Sequence, residues 1–293
     1  MDIGIVGLGL MGSNLVRCLR NKNIGVVVYN RTRSRAEALC REVNCVVVDS
    51  PREVADRAMF IIVFVADDDA LRDVVFGSNG IVYSKNSSII INASTITPMM
   101  SMYIYENIGK RYLEAPVYGS VDAAKSCSLL SIVAGDENVY REARGVIDLY
   151  SSKSIYVGEI PKASVLKLAL NNVGMSFPIV LSESLAMLEA WGIDKELFRE
   201  IAKNLWFGTA IERYWHRVTG PVKEPSFRLR LAAKDYSYVA KTLQIKNIPA
   251  FISSSISNLL TLATAEGYGD FDYTKIGEYL VELAKRGRNI VRE

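Results

Sequence analysis

The first dozen residues constrain the fold more strongly than any other part of this sequence. A short β-rich run over residues 2–7 leads directly into a turn that reads GLGLMG from Gly7 to Gly12, and apolar residues at helical spacing follow. Glycines at these spacings permit a tight turn, a close approach of backbone to a pyrophosphate, and close packing of helix on strand. The N-terminus of that helix would offer N–H groups and a positive dipole end to phosphates. The turn therefore predicts a dinucleotide-binding βαβ unit, although a similar turn can form without a ligand.

Strand-like and helix-like segments alternate through the first half of the chain. Residues 59–65 form an unbroken apolar run, which is typical of a strand buried on both faces of a parallel sheet. Further strands are predicted at residues 25–30, 45–48, 88–92, 111–114, 129–134 and 154–157, and helices at 33–41 and 51–57. This βαβα order predicts an α/β fold, a doubly wound Rossmann domain over residues 1–162.

The pattern changes near Pro161. From residue 163 onward apolar residues recur at helical spacing, and no run alternates as a strand would. Residues 164–191 are expected to form one long interdomain helix bent at Pro178, with Gly192 ending it and Asp194 capping the next helix. The sequence thus predicts a second, all-α domain over residues 163–293 for substrate binding and oligomerisation.

Composition argues against several classes of protein. The formal net charge of +3 is too small to indicate nucleic acid or an anionic membrane surface as a partner. His216 is the only histidine, which argues against a histidine-based metal site or catalytic triad. The N-terminus lacks the basic segment of a signal peptide, and the longest apolar stretch, residues 58–66, is too short to span a membrane. We therefore expect a soluble, cytoplasmic protein with no metal, nucleic-acid or membrane partner.

The four cysteines show no pattern of a metal site or a disulfide framework. None of Cys18, Cys40, Cys45 and Cys127 forms a CxxC pair with another. We expect them to be small buried hydrophobic residues in a reducing compartment.

The end of the second predicted strand indicates which nicotinamide cofactor is bound. Sites for NAD usually place Asp or Glu there to hold the ribose 2′-hydroxyl. This chain instead has Asn30, Arg31, Thr32 and Arg33, which supply hydrogen-bond donors and positive charge suited to a 2′-phosphate. The sequence therefore predicts NADP, although a solvated basic turn would look the same.

Several motifs, in order along nearly the whole chain, resemble those of the β-hydroxyacid dehydrogenase family. Residues 92–98 (NASTITP) are similar to its D-x-S-T-x-x-P segment, and residues 114–120 (EAPVYGS) to D-A-P-V-S-G-G. Residues 158–172 are similar to its G-x-G-x-x-x-K-x-x-x-N-N segment, with Lys167 at the lysine, and Lys234-Asp235 stands where the family has a Lys-Asp pair. The family includes 3-hydroxyisobutyrate and serine dehydrogenases and reductases of glyoxylate and succinic semialdehyde.

The resemblance implies a role for individual residues. Lys167 would be the general acid and base, and Asn171, one helical turn further on, would hydrogen-bond the substrate. The remaining substrate contacts implied by the family are Ser94, Tyr118, Gly119 and Ser120. The cofactor contacts are Gly7, Gly9, Leu10, Met11, Gly12, Asn30, Arg31, Thr32, Val65, Ala66, Thr95, Phe227 and Lys234. The activity implied is NADP-dependent oxidation of a small β-hydroxy acid, such as 3-hydroxyisobutyrate or L-serine, to its semialdehyde.

Departures from the family motifs leave alternatives open. Tyr118 replaces the usual serine beside the expected substrate carboxylate, and Ser120 replaces the second glycine. The chain could instead be an NADPH-dependent glyoxylate or succinic semialdehyde reductase, or a non-catalytic NADP-binding scaffold. Imine reductases of this fold usually carry Asp or Tyr in place of the lysine, so Lys167 argues against that activity. The family also implies a homodimer or homotetramer formed through the helical domain.

Overall fold

The computed structural model describes residues 2–290, with side chains up to residue 286. The chain divides into two compact units, one reaching to Lys167 and the other beginning at Leu168. The boundary predicted after residue 162 lies five residues earlier, at the start of the long helix Lys162–Ala190. The division between the two units falls within this helix.

The first unit is a Rossmann domain. Its strands are β1 (Ile3–Val6), β2 (Val26–Tyr29), β3 (Val46–Val47), β4 (Phe60–Val63), β5 (Ile89–Asn92), β6 (Tyr112–Glu114), β7 (Val117–Tyr118), β8 (Leu129–Ala134) and β9 (Ser151–Gly158). Its helices are α1 (Leu10–Asn21), α2 (Arg33–Val43), α3 (Pro51–Arg57), α4 (Asp68–Phe76), α5 (Pro98–Ile108), α6 (Val121–Lys125) and α7 (Glu137–Ile147). The predicted doubly wound α/β domain is confirmed.

The sheet has the strand order β3-β2-β1-β4-β5-β6-β8-β7, and β9 pairs with β8. The strands from β3 to β6 are parallel, whereas β6 and β7 pair antiparallel with β8. Chain order reverses between β1 and β4, so the carboxyl ends of these two strands flank the crevice where open α/β sheets bind ligands.

Both faces of this sheet are covered, as the continuous apolar strands predict. In β4, Phe60 and Ile62 pack in one buried cluster while Ile61 and Val63 pack in another. Successive residues of a strand point to opposite faces, so a strand with a core on each side must be apolar throughout.

The cysteines contradict the prediction. Cys18 of α1 is bonded to Cys127 after α6, and Cys40 of α2 to Cys45 before β3. Their Cα–Cα distances of 5.6 and 4.6 Å lie within the range that disulfides span. The first pair is 109 residues apart in sequence and becomes adjacent because α1 and α6 pack together, which no local pattern could indicate.

The second unit is helical. The long helix α8 (Lys162–Ala190) begins in the first unit and contains Pro178, and it is followed by α9 (Lys195–Ala202), α10 (Gly208–Thr219), α11 (Leu229–Ile245), α12 (Phe251–Ala265) and α13 (Ile276–Ile290). Within the described part of this unit no strand forms, and a single isolated bridge joins Arg228 to Asp272. Asp194 caps α9 as predicted, accepting the N–H of Glu196 at 2.9 Å.

Helix α8 is also the one segment of the described chain that is long and apolar enough to cross a membrane. Its most apolar window has a mean hydropathy of 1.4. This window also contains polar residues, so residues 58–66 are still the longest unbroken apolar run. Helices at the core of soluble proteins pass the same test of length and composition, and Met175 and Ile179 of α8 lie in the core of the second unit.

Candidate functional site

The glycine turn after β1 is shaped by backbone atoms. Gly7 has a φ of +95°, and a Cβ there would lie 2.0 Å from the carbonyl oxygen of Phe64. A Cβ on Gly12 would lie 2.0 Å from the carbonyl oxygen of Gly7. A Cβ on Gly9 would meet no heavy atom within 4 Å, and Gly9 is the N-cap of α1 with no side-chain cap. The open space beside an uncapped helix N-terminus fits the pyrophosphate of a dinucleotide.

Asn30 links this turn to the end of β2. Its Oδ1 accepts the N–H of Leu8 at 2.9 Å, and its Nδ2 donates to the carbonyl of Thr32 at 2.9 Å. The sequence placed Asn30 among the cofactor ligands but did not indicate that its amide would shape the loop.

The basic side chains after β2 are exposed. Arg31, Arg33 and Arg35 all lie at the surface, and Arg33 is engaged in ion pairs with Glu37 and Asp49. Arg31 and Thr32 stand at the end of β2, where a nucleotide ribose would be held in this fold.

The segments that follow β4 and β5 meet at the same edge of the sheet as the glycine turn. The hydroxyl of Ser94 accepts the N–H of Val65 at 2.9 Å and donates to the carbonyl of Val63 at 3.2 Å. Ser94 is buried, and its own N–H is held by Oδ1 of Asn92 at 3.1 Å. Ser94 thus fixes the turn that carries Val65 and Ala66, and Thr95 follows it directly.

Lys167 lies within the first unit beside Tyr118. Its side chain is buried, and its Nζ is 4.7 Å from the centroid of the Tyr118 ring. The first turn of α8 is held by Glu114 of β6, whose Oε2 accepts the N–H groups of Ala163 at 3.0 Å and Ser164 at 3.3 Å. Burial raises the pKa of the Glu114 carboxyl above its usual range, against the opposing effect of these hydrogen bonds.

The remaining residues of the 118–120 segment form a turn. Gly119 has a φ of +153°, and a Cβ there would press on the side chains of Leu129 and Ala123. The Ser120 hydroxyl caps the short helix α6 by accepting the N–H of Ala123 at 3.2 Å.

In the second unit, Asn171 is held by a buried carboxylate. Its Nδ2 donates to Oδ2 of Asp235 at 2.7 Å, and Nζ of Lys234 lies 2.9 Å from the other oxygen of Asp235. Asp235 is 1% exposed and Asn171 is 7% exposed. The sequence singled out Asn171 and Lys234 separately, whereas the structure joins them through Asp235.

Phe227 is fixed by Asp272. Oδ2 of Asp272 accepts the N–H of Phe227 at 3.3 Å and that of Ser226 at 2.8 Å. The carbonyl of Phe227 accepts the N–H of Tyr273 at 3.0 Å, and the two rings meet edge to face.

The candidate residues therefore form two groups, each described within its own unit. The first unit brings the glycine turn, the ends of β2, β4 and β5, and the Tyr118–Lys167 pair to its carboxyl edge. The second unit holds Asn171, Lys234 and Phe227. Among the residues whose side chains are described, no cluster of three or more metal-ligating side chains occurs.

Comparison with known proteins identifies both parts of the chain. A family model described as the NAD binding domain of 6-phosphogluconate dehydrogenase matches residues 2–158. A second, described as NAD-binding of NADP-dependent 3-hydroxyisobutyrate dehydrogenase, matches residues 162–280. The first unit is thus an NAD(P)-binding domain.

Individual relatives match over nearly their full length. The chain is 30% identical to an uncharacterised oxidoreductase, YfjR, of Bacillus subtilis, over 94% of this chain and 98% of that protein. It is 27% identical to glyoxylate/succinic semialdehyde reductase 1 of Arabidopsis thaliana, over 95% of this chain and 98% of that protein. The structure of 3-hydroxyisobutyrate dehydrogenase of Mycobacterium tuberculosis with L-serine matches with a TM-score of 0.81 at 21% identity, covering 95% of this chain and 98% of that chain. The last comparison shows a shared fold.

Proposed function

Because this chain belongs to the β-hydroxyacid dehydrogenase family, typified by 3-hydroxyisobutyrate dehydrogenase, we propose that it is an NADP-dependent enzyme that oxidises a small β-hydroxy acid to its semialdehyde. The substrate would be of the 3-hydroxyisobutyrate or L-serine type. The observation that carries this proposal is the buried Lys167, held beside Tyr118 on a helix whose first turn is bound by Glu114.

Lys167 would move the proton in this reaction. A nicotinamide, when bound, supplies the acceptor or donor of hydride at the substrate carbon. In oxidation Nζ of Lys167 would take the proton of the substrate hydroxyl, and in reduction it would return a proton to that oxygen. A buried amine on a fixed helix turn keeps one position, which favours proton transfer over a short distance.

Asn171 would orient the same substrate oxygen or the carboxylate. It stands four residues after Lys167 in the sequence, as in the motif that residues 158–172 resemble. Because one N–H of its amide is held by Asp235, the amide orientation is set before substrate arrives. The backbone N–H groups of the 118–120 turn and the Ser120 hydroxyl would bind the substrate carboxylate.

The cofactor would be NADP rather than NAD. No carboxylate follows β2, where Asn30, Arg31 and Thr32 stand instead, and the exposed Arg31 would pair with the 2′-phosphate. The glycine turn, residues 7–12, would bind the pyrophosphate of the cofactor. The nicotinamide half would be bound by Val65, Ala66, Thr95, Phe227 and Lys234.

A second candidate activity is favoured by the relatives. One of them is named as a reductase of glyoxylate and succinic semialdehyde, and an NADPH-dependent enzyme of that kind would use the same Lys167 as the acid. The two activities differ in substrate and direction, and kinetics in both directions separate them.

We also propose a homo-oligomer. Large apolar side chains are exposed on the helical unit, among them Trp191 at 80%, Trp206 at 93% and Phe251 at 79%. Soluble monomers rarely expose many such side chains, so a second copy is the occupant we expect.

The test compares Lys167→Met with Lys162→Met, a matched change of an exposed lysine five residues earlier on α8. Each protein is assayed with NADP and 3-hydroxyisobutyrate or L-serine, and with NADPH and glyoxylate or succinic semialdehyde. Lys167→Met should bind NADPH normally but lose about 100-fold or more in kcat, whereas Lys162→Met should retain it. Near-normal turnover by Lys167→Met would remove the proposed mechanism, and turnover confined to the two aldehydes would favour the reductase. Tight NADPH binding with no turnover of the whole panel would favour a non-catalytic scaffold.

A further inference from the structure

Tyr118 is the bulkiest departure from the motif that residues 114–120 resemble, because a tyrosine stands where the family has serine. It ends the two-residue strand β7, which pairs with β8 so that Val117 lies opposite Ser131 and Tyr118 opposite Leu130. Val117 is buried in the core, so Tyr118, the next residue, points to the other face of the sheet.

The ring of Tyr118 lies against the ammonium of Lys167. The distance of 4.7 Å from Nζ to the ring centroid is within the range of a cation–π contact. Lys167 is 8% exposed whereas Tyr118 is 38% exposed, so the ring is the more exposed partner of the contact.

Both partners of this contact are fixed by the same part of the sheet. Glu114, four residues before Tyr118, holds the start of α8 through the N–H groups of Ala163 and Ser164. The lysine follows one turn later on that helix. The spacing between the ring and the amine is therefore set by a strand residue and a helix residue that Glu114 links.

We propose that Tyr118 is a positioning and specificity-determining residue, which rests on the proposed function. Its ring holds the Lys167 ammonium in place and fills space beside it that a serine would leave open. The site should accordingly favour two- and three-carbon oxo or hydroxy acids, of the glyoxylate or 3-hydroxypropionate kind, over four-carbon ones. The ring, and not the phenol hydroxyl, carries this effect.

The first test compares Tyr118→Phe, which keeps the ring, with Tyr118→Ser. The ratio of kcat/KM for glyoxylate to that for succinic semialdehyde is measured with NADPH. The ratio for 3-hydroxypropionate to 3-hydroxyisobutyrate, which carries one more carbon, is measured with NADP. Wild type and Tyr118→Phe should favour the smaller acid of each pair. Tyr118→Ser should move both ratios toward the larger acid by roughly 10-fold or more, through KM, which is about the effect of one methylene group in a pocket. An unchanged ratio in Tyr118→Ser, or an equal change in Tyr118→Phe, would overturn the assignment.

The second test does not need turnover. The protein without cofactor is treated briefly with an amine-acylating reagent, and mass spectrometry follows modification of Lys167 relative to Lys162, the exposed lysine on the same helix. Lys167 should be modified several-fold faster in Tyr118→Ser than in wild type, and at the wild-type rate in Tyr118→Phe. The rate of modification of Lys162 should be the same in all three proteins. Equal rates at Lys167 in all three proteins would show that the ring does not cover it. Absence of turnover on every substrate would end the proposed function and the specificity assignment with it, while the labelling would still decide whether the ring positions the lysine.

Discussion

The Oε2 atom of Glu114 accepts the backbone N–H of Ala163 at 3.0 Å, so that a buried side chain of β6 holds the first turn of α8. Burial raises the pKa of this carboxyl in the folded protein, whereas a glutamate in an unfolded chain titrates near ~4.3. The contribution of Glu114 to the free energy of unfolding is therefore fully present below that pH. It is lost as the pH rises through the raised pKa.

We expect Glu114→Gln to remove this pH-dependent loss. The neutral amide can still accept the N–H groups of Ala163 and Ser164, but it has no charge to bury. The free energy of unfolding in urea, measured between pH 4 and pH 8, should fall less with rising pH in the variant than in wild type. Glu159→Gln, an exposed change nearby, should leave the wild-type pH dependence intact. Parallel curves for Glu114→Gln and wild type would show that the carboxyl is not desolvated.

Asp272 gives the opposite pH dependence in the helical unit. Burial pushes its pKa up, but hydrogen bonds from Thr274 and Ser226 and the charge of Arg217 outweigh this and leave the pKa lowered. Its contribution to stability is thus present above the unfolded value of ~3.9 and is lost as the pH falls through the lowered pKa. Asp272→Asn should cost about 2 kcal/mol at neutral pH, because it removes the buried charged acceptor of the hydrogen bonds from Ser226, Phe227 and Thr274.

The control for this change is Asp270→Asn. Asp270 pairs with Arg228 and Arg230 at the surface, where its side chain is 65% exposed, so its loss should cost less than about 1 kcal/mol. Urea unfolding of both variants measures the difference. Equal losses would mean that the Asp272 contacts add nothing beyond an ordinary surface ion pair.

Arg31→Asp tests the choice of cofactor. If Arg31 pairs with the 2′-phosphate, the ratio of kcat/KM for NADP to that for NAD should fall by between ~10-fold and ~100-fold. Arg41→Asp, an exposed change at the other end of α2 with the same change in net charge, should leave the ratio as it is. A wild-type enzyme that uses NAD at least as well as NADP would refute the proposed cofactor.

The two disulfides should differ in what they contribute to stability. In the loop-closure model, a crosslink between residues 109 apart stabilises by about 5 kcal/mol and one between residues 5 apart by about 2 kcal/mol. Cys18→Ser should therefore lower the free energy of unfolding more than Cys40→Ser does. Urea unfolding of the two variants checks the order, and free thiols in wild type unfolded without reductant would contradict the pairing.

Much of the fold follows from local pattern. The glycine turn, the apolar run that became β4, and Asp194 at the start of α9 each act through residues close in sequence, so the sequence predicts them. The strand β7 is missed because two residues after Pro116 show no alternation and pair only through the distant β8. The Cys18–Cys127 bond is missed for the same reason.

Part of the candidate site can likewise be predicted from the sequence, and part of it is seen only in the structure. Motif spacing identifies Lys167 and Asn171, but it cannot indicate that Glu114 binds the start of α8 or that Asp235 joins Asn171 to Lys234. The Glu114–Ala163 and Asn171–Asp235 hydrogen bonds link residues 49 and 64 positions apart in the chain, and hydrogen-bond geometry at such separation depends on the packed structure. Ser94 and Asn30 likewise gain their roles in shaping loops from partners in the segments that follow other strands.

The glycine turn and the basic loop after β2 differ in how freely they can change. At Gly7 and Gly12 any side chain would collide with a carbonyl oxygen of the main chain, and such an atom cannot move aside without distorting the sheet. Arg31 and Thr32 stand in open solvent, where substitution disturbs no packing. If these two residues select the coenzyme, as proposed, substitutions there could change which dinucleotide is preferred without altering the backbone that would contact its pyrophosphate. Coenzyme preference would then evolve, or be engineered, independently of the fold of the glycine turn.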